Sequence, residues 1–229
     1  MQLIRIILVG GLIKIPTGAE KVVRGSYNLQ KLNTLIYENV EKGLSYADEY
    51  IESLVKLAPF TIIPGRKDFG SPLLPQTPMP LSALSDTFEH LEEGHEKNLE
   101  FVSNPYKCAI NEKNLIICSG QGVRDIMMYS KYDKDSTLNV LQKLYEWKHL
   151  FPTAPDTLRC QPIKDKDPLV LQEKPDLLAV GSQKQFGYER VDGISFVGVP
   201  KFKSGSFAIV DVDSMETYEM NIKAGLSTS

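Results

Sequence analysis

The sequence predicts an α/β protein built from layered mixed sheets, and three observations carry that expectation. Short apolar runs that read as strands recur at Leu3–Val9, Phe60–Ile63 and Leu115–Cys118. Stretches with helical spacing separate strand-like runs, one beginning at Ala47 before Phe60 and one at Leu138 after Cys118. After Pro175 come further strand-like runs with short links. Strand, helix, strand is the opening of a fold in which helices cover a sheet.

Leu3–Val9 is apolar apart from Arg5 and ends in Gly10-Gly11, as expected of a strand buried on both faces of a mixed or parallel sheet. It lacks a basic n-region and an Ala-x-Ala-like cleavage site, so it reads as a strand rather than a signal peptide. A polar stretch to about Asn28 leads into helical pattern. From Ala47, Tyr50, Ile51, Leu54, Val55 and Ala58 fall on one side of a helix, with Asp48, Glu49, Glu52 and Lys56 on the other. Phe60–Ile63 is a short strand stopped by Pro64-Gly65. Pro72, Pro75, Pro78 and Pro80, around Leu73-Leu74 and Gln76, exclude regular helix or central strand and predict an ordered loop or contact arm.

The segment Ser85–Asn98 is acidic and carries His90 and His95. Phe101-Val102 and Leu115–Cys118 read as the next strands, with Asn111–Asn114 as the turn between them. Asp135-Ser136 caps a helix on which Leu138, Val140, Leu141, Leu144, Tyr145 and Trp147 share one arc, and which ends near Phe151-Pro152. The runs Leu177–Val180, Ile194–Val199, Phe207–Val212 and Tyr218–Ile222 predict an antiparallel meander that completes the sheet. No internal repeat interrupts this order, and one domain over residues 1–229 is expected.

Composition narrows the function classes. Apolar residues make up 42% of the 229 and charged residues 24%, which suits a packed protein. No apolar run reaches the roughly 18 residues of a membrane span, so no membrane contact is expected. A net charge of −3 gives no overall pull toward DNA. Cys108, Cys118 and Cys160 are too few and too far apart for a disulfide framework or a zinc knuckle, and read as reduced thiols.

Five stretches invite a chemical reading. His90 and His95 are five apart, whereas a zincin helix needs two histidines four apart on one face; a solvated acidic insertion explains them better. Ser119-Gly120-Gln121-Gly122-Val123-Arg124-Asp125 follows a strand as a dinucleotide fingerprint would. Its third glycine is replaced by Asp125, whose charge would repel a pyrophosphate, so it reads as a strand-to-helix turn. Gly10-Gly11 with Gly18 has no Gly-Lys-Ser/Thr following and is no P-loop. Lys201-Phe202-Lys203 hints at nucleic-acid stacking, although a solvated strand end accounts for it as well.

The fifth stretch, Pro64-Gly65-Arg66-Lys67-Asp68, resembles the strand-end turn of calcineurin-type two-metal phosphoesterases, which carry Gly-Asn-His-Asp/Glu there. Arg66 and Lys67 stand where that resemblance puts the metal-binding Asn and His. Gly11 replaces the Asp of a Gly-Asp, and Gly181-Ser182-Gln183-Lys184 occupies the place of a late Gly-His-x-His. Cations repel a divalent ion, and Asp68 alone cannot hold two of them. Gly11, Arg66, Lys67, Asp68, Ser182 and Lys184 are therefore read as positions of a lost metal site, with no metal, cofactor or catalytic residue.

Ile63–Asp68 followed by Leu73-Leu74-Pro75-Gln76 resembles the "PGxxDP…LPQ-P" region of the B-subunits of eukaryotic replicative DNA polymerases, which carry an inactivated phosphoesterase domain. Within that family, Ser119–Ile126 with Tyr129-Ser130, and His149 followed by Pro152–Cys160, resemble the delta branch; Asn104-Pro105-Tyr106 and Pro200-x-Phe202 fit the same order. The resemblance implies a calcineurin-like αββα sandwich, shortened at its N-terminus, with the family's oligonucleotide-binding fold and first phosphoesterase strand absent from this chain. It implies a non-catalytic nuclear subunit of the DNA polymerase delta complex. Such a subunit grips the cysteine-rich C-terminal domain of the catalytic subunit and joins a third subunit that reaches the sliding clamp, with DNA touched only weakly or through partners. Leu73, Leu74, Phe151 and Pro152, on rigid proline loops, are the candidate partner contacts. A metal-dependent phosphodiesterase or nuclease with atypical ligands is the alternative.

Overall fold

A computed structural model describes residues 2–12, 43, 45–68, 70–80, 96–130, 137–164 and 166–222. The chain divides into two compact units, Met1–Gly70 with Pro78–Val102, and Ser71–Thr77 with Ser103–Ser229. His90, His95 and the glutamates between them lie outside the described residues, as do Gly18, the stretch near Asn28 and the Asp135-Ser136 cap.

In the first unit, β1 (Ile6–Val9), β2 (Phe60–Ile63) and β3 (Leu99–Phe101) form a parallel sheet in that order. The register sets Val9 beside Ile63 and Phe60 beside Leu99. β2 is central and wholly buried, which explains its apolar character apart from Thr61. β1 corrects the expectation of a strand buried on both faces. It is half-buried throughout, starts at Ile6, and leaves Leu3 and Ile4 exposed, because it is an edge among the described strands. Arg5 donates to Thr61 at 2.9 Å and to Glu100 at 2.8 Å, joining the polar side chains of the three neighbouring segments.

Helix α1 (residues 45–55) lays Ala47, Ile51 and Val55 against this sheet's core with Phe60, Ile62 and Met79. Tyr50, expected on the same side, is 63% exposed. At 100° per residue it stands a full step from Ile51, off the line that Ala47, Ile51 and Val55 trace down the helix.

The second unit holds a five-stranded sheet in the order β4 (Tyr106–Ile110), β5 (Lys113–Cys118), β6 (Leu177–Gln183), β8 (Ile194–Pro200), β7 (Gly187–Val191). β5, β6 and β8 run parallel, with β4 and β7 antiparallel at the edges. The expected hairpin into β5 is real, but its first strand is β4 rather than Phe101-Val102. Asn111 and Glu112 both take positive φ, 48° and 62°, which is the two-residue turn whose twist suits a hairpin. The expected meander is corrected too. Asp192-Gly193, at φ 51° and 79°, closes a β7–β8 hairpin, so β8 returns parallel to β6. β9 (Ser206–Val210) and β10 (Thr217–Asn221) form a separate antiparallel pair.

Helices α2 (Gln121–Tyr129) and α3 (Thr137–Glu146) connect β5 to β6. Val140, Leu141 and Leu144 of α3 are buried with Phe151, Leu178 and Phe196, each stabilising by about 1.5–3 kcal/mol relative to exposure. Tyr145 meets Phe196 edge to face at 6.1 Å. Trp147, expected on the same arc, is 51% exposed because the helix ends before it. Lys148 takes φ 54°, its N–H bonds to Tyr145 O at 3.0 Å, and the His149 N–H reaches Leu144 O at 3.1 Å. That reverse turn stops the helix upstream of Pro152, with lysine in the position glycine usually fills.

Candidate functional site

The strand-end turn of the first unit is built from two chain segments. The ladder of β1 and β2 ends with the Gly10 N–H on Ile63 O at 2.8 Å, after which Gly10 and Gly11 take φ 68° and 81°. After β2, Pro64 and Gly65 are buried and the chain curls so that Asp68 points back. Its Oδ2 accepts the Gly11 N–H at 2.6 Å and the Gly65 N–H at 2.7 Å. Gly65 has no room for a side chain: a Cβ there would stand 2.9 Å from the Gly10 Cα and 3.1 Å from Asp68 Oδ2.

Two backbone N–H groups aimed at one point are a small anion cradle, and Asp68 fills it from within the chain. Asp68 Oδ2 is committed to holding the two turns together. Arg66 is exposed and Lys67 half-buried on the same turn, so the charge beside this carboxylate is cationic. Among the described residues no group of three His, Cys, Asp or Glu side chains converges as metal ligands would. Gly11, Arg66, Lys67 and Asp68 thus lie in two adjoining turns, which the Asp68 carboxylate stitches together.

Ser182 and Lys184 belong to the second unit. A register shift between Val180 and Gln183 turns the end of β6, leaving Ser182 at φ 60° and both side chains exposed. Gln183 between them points inward, where its Nε2 donates to Gly181 O at 2.7 Å and its Oε1 accepts from Thr137 at 3.2 Å. The neighbouring turn leaves so little space that a Cβ on Gly120, φ 85°, would stand 2.2 Å from Gly181 O.

A buried amide cluster, which sequence reasoning did not foresee, lies in the same unit. Asn104, Ser119, Gln121 and Gln76 are all buried. Asn104 Nδ2 reaches Gln76 Oε1 at 2.8 Å, Ser119 Oγ at 2.7 Å and Gln121 Oε1 at 2.7 Å. The Ser119 N–H returns to Asn104 Oδ1 at 3.1 Å, and Gln121 Nε2 donates to Gln76 Oε1 at 2.8 Å. Backbone bonds join Gln76 and Asn104 in both directions. These side chains satisfy one another, which is the condition for burying amides without a large penalty. Their presence in the quoted Leu-Pro-Gln, Asn-Pro-Tyr and Ser-Gly-Gln-Gly stretches was the available signal.

The second unusual string, Pro152–Cys160, is a loop fastened to the same unit. Thr157 donates its hydroxyl to the buried Asp125 carboxylate, and Leu74 pairs with Arg159 and Gln161 through backbone bonds of 2.9 Å. Asp125 therefore has a structural partner, and the strand-to-helix turn reading of Ser119–Asp125 matches the geometry. Cys118 is fully buried, and burial pushes its thiol up to about 12, with Lys107 only partly opposing. Burial and then Asp167 raise the Cys160 thiol as well. Both are neutral thiols rather than nucleophiles at physiological pH.

Of the four candidate partner contacts, Leu74 and Phe151 are core residues, 2% and 1% exposed. Side chains at that depth pack the unit and present nothing to a partner. Leu73 is half-buried and Pro152 exposed, which leaves these two accessible.

Over residues 2–188 the sequence matches the DNA polymerase alpha/epsilon B-subunit family. The chain belongs to this family. Similar proteins within it include the DNA polymerase delta subunit 2 of Drosophila melanogaster, 32% identical over 79% of this chain and 41% of that one. The DNA polymerase delta small subunit of Saccharomyces cerevisiae is 28% identical over 79% and 42%, and that of Arabidopsis thaliana 24% identical over 100% and 50%. The chain therefore spans about half the length of these relatives, or somewhat less. Among solved structures, an archaeal phosphodiesterase aligns over 76% of this chain and 74% of that one, at 12% identity and a TM-score of 0.38. So loose a likeness leaves the fold to be judged from the strands themselves, which are α/β with mixed pairing.

Proposed function

We propose that this chain is a non-catalytic accessory subunit of a DNA polymerase delta assembly, working in the nucleus as a scaffold for the catalytic subunit. The observation that carries the reading is the state of Asp68. Its carboxylate oxygen is used by the Gly11 and Gly65 N–H groups, and Arg66 and Lys67 flank it, so the turn supports no activated water and no charge clamp on a phosphoryl group. A phosphoesterase-like layering kept without its metal chemistry serves through its surface. The catalytic subunit's cysteine-rich C-terminal domain is the partner this reading favours, with a third, clamp-reaching subunit as a further contact and DNA met through the assembly. Leu73 and Pro152 are the contacts to test.

The experiment is co-expression with the C-terminal domain of a DNA polymerase delta catalytic subunit, followed by affinity purification. The two proteins should co-purify, and Leu73→Glu with Pro152→Glu should weaken the pairing. Retention of full pairing in that variant moves the interface elsewhere. Manganese-dependent cleavage of a generic phosphodiester that disappears in Asp68→Ala would overturn the non-catalytic reading and favour the nuclease.

A further inference from the structure

The β9–β10 hairpin turns part of its apolar surface outward. The register pairs Tyr218 with Ile209 and Met220 with Phe207, and the Ile222 N–H continues the pattern onto Gly205 O at 2.8 Å. These side chains share one face, since alternate residues of a strand point the same way. Tyr218, Met220 and Ile222 are 54%, 47% and 45% exposed, whereas Ser206 and Thr217 of the opposite face are buried. On that opposite face Ala208 and Val210 are half-buried while Glu219 and Asn221 are exposed, so the outward Tyr218, Met220 and Ile222 form an exposed apolar strip patterned to be covered. β10 also has none of the lysines, prolines or bulges that protect an edge strand.

Charge at the two ends of this face indicates what covers it. Beside Ile222, the turn Phe202–Ser204 presents exposed Lys201 and Lys203, with Phe202 exposed between them. At the far end, the β9–β10 connection presents exposed Asp211, Asp213 and Glu216. The only cation described at that end is Arg190, which donates to Ser214 O at 2.8 Å. The face is thus basic at one end and acidic at the other, with an apolar middle. A copy of the same surface, laid on it in the antiparallel sense by a two-fold axis, meets it with opposite charge at both ends and apolar against apolar between. We propose that this face is an isologous self-association surface, with the occupant a second copy of this chain packed sheet against sheet. Such self-association is independent of any role in a polymerase assembly.

Sedimentation velocity of the whole chain over a dilution series tests it, with circular dichroism melts to confirm that each variant folds. The wild type should show reversible monomer–dimer exchange. Met220→Lys should weaken association by about tenfold or more, and Tyr218→Glu, a second exposed position, should act the same way. Reversal of the basic end, Lys201→Glu with Lys203→Glu, should weaken the dimer, and adding Asp213→Lys with Glu216→Lys should restore it. Asp211 is left alone because its carboxylate accepts the Asp213 and Ser214 N–H groups and holds the turn. A wild type that stays monomeric at its highest soluble concentration overturns the proposal, as does a dimer indifferent to Met220→Lys. A monomer that binds a polymerase fragment through Met220 also overturns it, by giving the face to a different occupant.

Discussion

The strand-end turn at Asp68 and the amide cluster around Asn104 are both buried polar arrangements, and they solve burial in opposite ways. At Asp68 one charged side chain is satisfied by backbone N–H groups from two turns. Around Asn104 four neutral side chains bond mainly to one another, with backbone help from the Ser119 N–H to Asn104 Oδ1 and from Ser71 O to Gln76 Nε2. The first is a turn that can be relaxed toward water, because Gly11 is exposed. The second has no such outlet, since all four side chains are buried. A loss in the cluster should therefore cost more than a loss at the turn, and most of all where the backbone itself has no slack.

The largest effect is expected at Gly120, beside the cluster. A side chain there meets Gly181 O at 2.2 Å and must hold φ 85°, so Gly120→Val combines a backbone clash with left-handed strain. It should lower unfolding free energy by roughly 4 kcal/mol or more, read from urea melts. A melt midpoint within error of wild type would mean that the β5 and β6 ends separate easily.

Next comes Asn104→Ala, which removes a shared partner of the buried Gln76, Ser119 and Gln121. The expected loss is about 2–4 kcal/mol. Gln121→Ala alone should cost less, and the double variant less than the sum, because the two share partners. Strict additivity would show that the hydrogen bonds do not act as one network.

Asp68→Ala should cost less again, about 1–2 kcal/mol, since Gly65 loses a buried acceptor while Gly11 can turn to water. Asp68→Asn keeps one acceptor oxygen and should cost under about 1 kcal/mol. If Asn proves as damaging as Ala, the negative charge matters more than the acceptor geometry, and the cradle is an anion site in the stricter sense.

Much of the fold is legible in the sequence, and the reasons differ by element. β2 and β5 stand out because their buried stretches, Phe60–Ile63 and Leu115–Cys118, are apolar apart from Thr61. β7 escapes notice because an edge strand reading Gly-Tyr-Glu-Arg-Val has no strong alternation. Its Asp-Gly turn is the signal to use. The crowding of Gly65, Arg66, Lys67 and Asp68 into one turn follows from their adjacency in sequence. The meeting of Gln76, Asn104 and Gln121 does not, because it depends on two separate loops and the first residue of α2 arriving at one place. Hydrogen bonding between distant amides leaves no periodic trace. Leu74 and Phe151 mislead for a related reason: proline-rich loops suggest a surface, but backbone bonds from Leu74 to Arg159 and Gln161 draw that loop into the core.

The smallest effect tests where α3 stops. Helical periodicity carried past Glu146 assigns Trp147 to the buried arc, and its size would make it the costliest side chain to remove. The reverse turn at Lys148 instead ends the helix with Trp147 half in solvent, while Leu141 is fully enclosed. Trp147→Ala should then change stability by no more than about 0.5 kcal/mol, against about 3 kcal/mol for Leu141→Ala. Lys148→Gly should be neutral or stabilising by a few tenths of a kcal/mol, because glycine takes φ 54° without the Cβ penalty. A Trp147→Ala loss comparable to Leu141→Ala would place the indole against the core and extend α3 by another turn. In that case the periodicity, and not the turn geometry, would be the better guide to how this helix packs.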